Sequence, residues 1–428
     1  MRNRLLLCCV VVWMSVFVNG QTIGKMTVEG RVEPRGLDAE VPRFGWQITS
    51  TKRNVVQVGY QIQVSTTAEG KGDVWDSGFV ASDSSQWVSF KGKALKPNTV
   101  YYWRVRVRTN RGDTGWSRCS TWTTGLLSEK NWSGEWIGYD SLTPDVKMEQ
   151  HSRIAVRHFR KDFTIKRPVK RATVHVCGLG YYILLLNGQR IGDYLLAPPP
   201  TQYDKVAMYD SYDVTEVLNG KGAGSGDSRI EVMLAGGYFF PMTQNFETNV
   251  RTAFGMPKLK LNLCVEYENE SLTPNPSPEG EGSRMIIATD STWMVANDGP
   301  IRYANLYDGT LIDYNYQPTE WKPVQMVDAP CLRLRGNSLG GVKAYGTEKC
   351  KSMKCVGNNR YILDFGTNNT GRVYLPAVTI GKGDTVRIRY AETLKADGEL
   401  YTDNLRHAQN TDYFVGNGQR VDMTTEFR

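Results

Sequence analysis

Apolar and polar positions alternate with a period of two along most of this chain, the signature of half-buried strands. The clearest case runs from Leu95 to Val107. There Tyr101, Trp103, Val105 and Val107 fall on one face, and Arg104, Arg106 and Arg108 fall on the other. Trp46 and the alternating Tyr60, Ile62 and Val64 suggest partner strands. Farther on, residues 173–176 alternate, and an apolar run over 179–186 ends in Asn187-Gly188, a strong signal for a type I′ hairpin turn with 189–193 returning. Residues 209–215 and the alternating Ile230, Val232 and Leu234, before Ala235-Gly236-Gly237-Tyr238, continue the pattern. Short strand fragments then follow one another from Tyr361 to Gly418. No region keeps a period of 3.6 long enough to build a helical domain. The expectation is a mostly β protein of tandem β-sandwiches, divided into 22–126, 132–330 and 332–428.

Composition supports that picture and narrows it. The chain has 428 residues, 40% hydrophobic and 22% charged, enough for two to four ordinary cores, and its 42 glycines suit a protein of strands and turns. Within 271–282 three prolines and repeated Glu-Gly cannot pair in a sheet, so an exposed insertion is expected over 270–284, and residues 220–226 form a smaller one. At the start, Arg2 and Arg4 precede an apolar run from Leu5 to Val18, and Val18-Asn19-Gly20 suits a signal peptidase. Residues 1–20 are therefore expected to be a signal peptide cut near Gly20, placing the protein in the periplasm or outside the cell. The run is too short for a membrane span, which needs about 20 residues.

The formal charge of +8 is scattered rather than blocked, so nucleic acid is not an expected partner. Beyond the signal the cysteines are Cys119, Cys177, Cys264, Cys331, Cys350 and Cys355, and only the last two are close enough in sequence to suggest a bridge. With four histidines, no zinc-type spacing appears.

The Leu-x-Pro-x-Thr-x-Tyr lead-in at 95–101, with the closing Trp116-Ser117 and Trp122, resembles the penultimate strand region of fibronectin type III sandwiches, in which the tyrosine closes a corner. The hairpin at 180–192 resembles the sugar-binding type of jelly roll attached to many glycoside hydrolases. Asp193, Tyr203, Asp204, Tyr209, Tyr238 and Trp293 are its candidates for a carbohydrate surface, since sugars offer apolar faces to rings and hydroxyls to carboxylates. The same residues also read as core aromatics and turn aspartates. The loops carrying Asp193 and Asp204 leave calcium open, and no other cofactor is expected.

In the third segment an ordered series appears: Ile362-Leu363-Asp364-Phe365-Gly366, Asn369-Thr370-Gly371, Gly383-Asp384-Thr385-Val386, Tyr390-Ala391-Glu392, Asp397-Gly398, residues 401–406 and Thr411-Asp412-Tyr413. Together it resembles the β-sandwich preceding the catalytic barrel of bacterial α-L-rhamnosidases. Asp76-Ser77-Gly78, Trp136-Ile137-Gly138, the Asn187-Gly188 hairpin and Leu306-Tyr307-Asp308-Gly309 extend that resemblance over nearly the whole chain. The resemblance implies a glycosidase of rhamnose-containing glycans, inverting at the anomeric carbon, whose paired carboxylates lie in an α/α barrel near an Arg-Asp-Glu-Arg-like stretch. This sequence has no such stretch. No catalytic residue carries over, the chain by itself is expected to be inactive, and the third sandwich is expected to lack a strand. A free-standing, lectin-like carbohydrate-binding protein is the alternative.

Overall fold

The structure is a computed structural model that describes residues 20–140, 154–220, 226–240, 254–268, 284–307, 309–330, 333–405 and 408–427. The expected signal peptide and Pro-rich insertion, most of the 220–226 loop, and Cys331 lie outside the described residues. Those residues are nearly all strand and connection, with one short α-helix at Thr215–Asn219. The chain is mostly β and folds as tandem β-sandwiches. It divides into two compact units, one of residues 1–34 and 39–124, the other of residues 35–38 and 125–428. Among the described residues no helix is long and apolar enough to cross a membrane.

The first unit packs two antiparallel sheets. One holds Gln21–Val28, Arg43–Ser50 and Val88–Ser89; the other is built on Gln57–Ser65 and Val100–Thr109, with shorter strands at their flanks. The alternation read at 101–107 holds: Tyr101, Trp103, Val105 and Val107 are all buried, as are Phe44, Trp46, Ile62 and Val64. Phe44 sits at the centre of an aromatic cluster, 4.7 Å from the Trp103 ring and 5.5 Å from Trp122. Lys96 N donates to the Tyr101 hydroxyl at 2.8 Å, tying the lead-in back onto the strand as the corner motif implies. Trp122 belongs to the core, but Trp116 does not. It lies across the outer face, with the Arg104 and Arg106 guanidinium carbons 4.8 and 5.0 Å from its ring centre.

In the second unit, two large sheets face each other. One takes Gln189–Ile191, Tyr181–Leu186, Gly226–Ala235, Arg157–Ile165, Met294–Ala296 and Lys322–Pro323 in that order. The other is centred on Lys258–Tyr267, Val169–Leu179 and Ala207–Asp213. Val174, Val176, Leu184, Val232, Leu261, Leu263 and Trp293 are among the side chains that fill the space between them. The apolar run that reads as one strand over 179–186 is divided. Leu179 ends a strand of one sheet, and Tyr181 begins a strand of the other. Gly180 makes the change possible: it sits at φ 134°, and a Cβ there would lie 2.1 Å from the Ala235 carbonyl oxygen. The hairpin turn is as expected, with Asn187 at φ 53° and Gly188 at φ 76°, the two positive values a type I′ turn needs.

The C-terminal stretch shares a core with this unit. Ile301–Asn305, Gly309–Asp313, Thr411–Val415 and Thr385–Arg389 form one sheet, the middle pair parallel. Ile301, Ile312, Ile380, Phe414, Met423 and Phe427 pack with Val156, Tyr181, Ile183 and Ala235. By contrast, the hairpin of Ser352–Gly357 and Arg360–Asp364 is exposed along its length, only Ile362 being half-buried. Cys350 and Cys355 are separate free thiols, which corrects the suggested bridge. The extended strand carries Cys355 away from Cys350 at about 3.3 Å per residue, outside the roughly 4.4–6.8 Å Cα separation a disulfide requires.

Candidate carbohydrate surface

The six residues singled out in the jelly-roll region separate into a buried and an exposed group. Trp293 is wholly buried, its Nε1 donating to the Ala288 carbonyl at 2.8 Å. Tyr203 is 2% exposed and meets Phe239 and Phe254 edge-on at 5.2 and 5.3 Å. Tyr209 is buried too; its hydroxyl donates to Asp38 Oδ1 at 2.7 Å and accepts from Leu126 N at 2.6 Å. As placed, none of these three offers a ring face to a sugar, and their aromatic character serves the core. Period-two reasoning could not separate these roles, because a ring on a strand edge and a ring under a loop look alike in sequence.

Asp193, Asp204 and Tyr238 are exposed. Asp193 follows Gly192, whose φ of 83° and close approach to the Tyr212 ring turn the chain at the end of the hairpin. Its Oδ2 accepts from Lys343 Nζ at 2.6 Å, and that hydrogen bond raises the lysine above its ordinary range. The same ammonium lies 5.0 Å from the Tyr194 ring. Asp193 is thus engaged with a cation of the protein itself. Asp204 lies in a turn next to Tyr203, exposed where its neighbour is buried. Among the described residues no group of three or more His, Cys, Asp and Glu is placed to hold a metal ion.

Tyr238 is 41% exposed and meets Tyr181 edge-on at 6.4 Å. Burial, then the neighbouring hydroxyls of Tyr203, Tyr238 and Tyr307, push Tyr181 well above the usual phenol range. The structure therefore brings Tyr203 and Tyr238 of the sequence reading into one tyrosine cluster, and adds Tyr181 and Tyr307 to it. Of this cluster, Tyr238 is the ring half open to solvent.

Sequence reasoning missed three carboxylates that organise the unit, Asp210 and Asp412 buried and Asp38 half-buried. Asp210 accepts from the Tyr182 hydroxyl at 2.6 Å and Asn337 Nδ2 at 2.7 Å. Asp412, wholly buried, accepts from Thr310 N at 2.9 Å and the Tyr390 hydroxyl at 2.6 Å. Asp38 accepts from Tyr209, Leu127 N and Gly336 N. These carboxylates satisfy donors inside the fold and tie distant segments together. Among the described residues, the carboxyls whose protonation is clearly displaced (Asp73, Asp76, Asp113, Asp162, Glu266, Asp298 and Asp422) are displaced downward, toward the anion. For Asp113 the first cause is the Arg108 hydrogen bond, and for Asp162 the Arg229 hydrogen bond. A glycosidase proton donor needs the opposite displacement.

Three family profiles match the chain in order. Residues 23–128 match the Rha78A-like N-terminal immunoglobulin domain, 167–339 the α-L-rhamnosidase N-terminal domain, and 354–428 the bacterial α-L-rhamnosidase concanavalin-like domain. An α-L-rhamnosidase of Formosa agariphila is 28% identical over 87% of this chain and 41% of its own length. One of an Alteromonas species is 29% identical over 94% of this chain and 43% of its own. The chain thus spans less than half the length of these relatives. Among solved structures, an α-L-rhamnosidase of Dictyoglumus thermophilum superposes with a TM-score of 0.81 at 29% identity, covering 95% of this chain and 45% of that one. The Streptomyces avermitilis enzyme complexed with L-rhamnose superposes at 0.82 with 23% identity, covering 95% and 55%, a likeness of fold.

Proposed function

We propose that this chain, which carries the N-terminal domains of the bacterial α-L-rhamnosidase family, is the β-scaffold of an exported enzyme that removes terminal α-L-rhamnose from glycans. The observation that carries the reading is the order of the three matched domains along one chain, with 95% of its length superposing on 45% of a longer rhamnosidase. The whole enzyme would invert the anomeric centre, a carboxylic acid protonating the leaving oxygen and a carboxylate about 6.5–9.5 Å away activating water. Both groups lie outside this chain, whose clearly displaced carboxyls are held as anions. Its own contribution is a β-scaffold of three domains, bounded at 22–126, 132–330 and 332–428, with export directed by residues 1–20.

The purified chain should not hydrolyse an aryl α-L-rhamnoside above background. Co-expressed with an α/α barrel encoded immediately downstream, it should co-purify with that barrel and the pair should turn over. Activity that follows the lone chain through successive columns, or a downstream barrel fully active without it, overturns the proposal. Amino-terminal sequencing of the exported protein tests the signal, with Gln21 expected first.

A further inference from the structure

The outer face of the first unit carries a ladder that the scaffold role leaves unexplained. Arg104, Arg106 and Arg108 stand on one side of Val100–Thr109, successive side chains about 6.8 Å apart. Across the sheet, Gln63 pairs with Arg104 and Gln61 with Arg106. Asp76 fixes both glutamines. Its Oδ2 accepts from Gln63 Nε2 at 2.7 Å and its Oδ1 from Gln61 Nε2 at 2.6 Å, so each amide turns its oxygen toward an arginine. Gln63 Oε1 then accepts from Arg104 Nε and Nη2 at 2.9 and 2.8 Å, and Gln61 Oε1 from Arg106 Nε at 2.9 Å. Trp116 supports both guanidinium groups from the other side.

The ladder orders two cations without neutralising either by direct contact. Among the described residues, neither terminal nitrogen of Arg106 and not Nη1 of Arg104 has a protein hydrogen-bond partner. Arg108 differs, being closed by Asp113 through bonds of 2.9 and 3.1 Å. A planar guanidinium held by its Nε edge leaves its terminal N–H pair free for the two oxygens of a carboxylate, the geometry in which arginine binds most strongly. Phe79, lying over Gly59 and 49% exposed, has the Arg108 guanidinium 4.4 Å over its ring, so Arg108 is engaged on that side as well.

We propose that Arg104 and Arg106, held by Gln61, Gln63, Asp76 and Trp116, bind the carboxylate of a uronic-acid residue in an acidic polysaccharide. The choice of a sugar over another carboxylate rests on the glycan-degrading reading above, but the binding is measured without turnover, so either can fail alone. The test is affinity electrophoresis of the whole chain through gels containing polygalacturonate, amylose or poly-L-glutamate, at low and high salt. Polygalacturonate should retard the chain at low salt and release it at high salt, while amylose has no effect and poly-L-glutamate retards it less. R104Q/R106Q should weaken the retardation at least about tenfold, the loss of charge-assisted hydrogen bonds. R106K, which keeps the charge and loses the fork, should weaken it in part, and R108Q should leave it nearly unchanged. Equal melting temperatures confirm that the variants are folded. No retardation by polygalacturonate, an unaltered R104Q/R106Q, or equal retardation by poly-L-glutamate or duplex DNA would each overturn the proposal.

Discussion

Acidification should weaken the second unit well before its carboxylates titrate, because two histidines are buried in neutral form. Burial lowers His175 to about 3, with the Arg171 charge acting in the same direction. It is inaccessible to solvent, its Nδ1 is 2.8 Å from Ser211 Oγ, and the Tyr209 ring stands 5.8 Å away edge-on. His158 is lowered to about 4, burial outweighing the opposite pull of Asp298, and its Nε2 faces the Gly299 backbone. In the unfolded chain both return to about 6.5. Between these limits the unfolded state binds more protons than the folded state, so stability rises with pH and is lost as pH falls below about 6.5. At pH 5, some 1.5 units below the unfolded value, each histidine costs about 2 kcal/mol at roughly 1.4 kcal/mol per unit. Together they remove about 4 kcal/mol, a large part of the roughly 5–15 kcal/mol that holds a domain folded. Aspartates held low, such as Asp162, act in a separate window below about pH 4.

Urea titrations at pH 7, 6 and 5, monitoring the transition of the unit that contains 125–428, measure this loss. Replacement H175Q should cost some stability at every pH through the lost Ser211 contact, but it should halve the drop between pH 7 and pH 5, from about 4 to about 2 kcal/mol. The other two histidines, His151 and His407, lie outside the described residues, and H175Q leaves their contribution in place. The reasoning fails if H175Q shows the same drop as the parent chain, or if the C2–H resonance of His175 titrates near 6.5 in the folded protein.

Tyr209→Phe deletes the hydroxyl that joins Asp38 to the Leu126 amide and should destabilise the second unit by about 1–3 kcal/mol, read as a lower urea midpoint at unchanged slope. Hydrogen exchange should be slow in Val100–Thr109, which is paired on both sides over a buried face, and fast in Ser352–Gly357 and Arg360–Asp364, which pair only with each other and are exposed; equal protection in the two regions would contradict that ranking.

The clearest strands were legible in the chain alone, because a side chain that must alternate between water and core writes that alternation into the sequence. Tyr101, Trp103, Val105 and Val107 are buried as their spacing requires, and Asn187-Gly188 turns because few other pairs adopt two positive φ values cheaply. The resemblance to bacterial α-L-rhamnosidases was legible too, since an ordered series of motifs over three segments is a local record. Which strands are neighbours followed only from the packed fold. Gly180 moves the chain between sheets, and Gly309–Asp313 lies parallel to Thr411–Val415 about a hundred residues away, pairings set by packing rather than by local pattern. The same limit applies to the candidate surface. Tyr203, Tyr209 and Trp293 share their chemistry with Tyr238, and what separates a core ring from an exposed one is the set of atoms that other segments bring to it. Arg104 and Arg106 could be read as facing water, but that two glutamines and one aspartate fix their guanidinium groups beside Trp116 follows only from strands laid side by side.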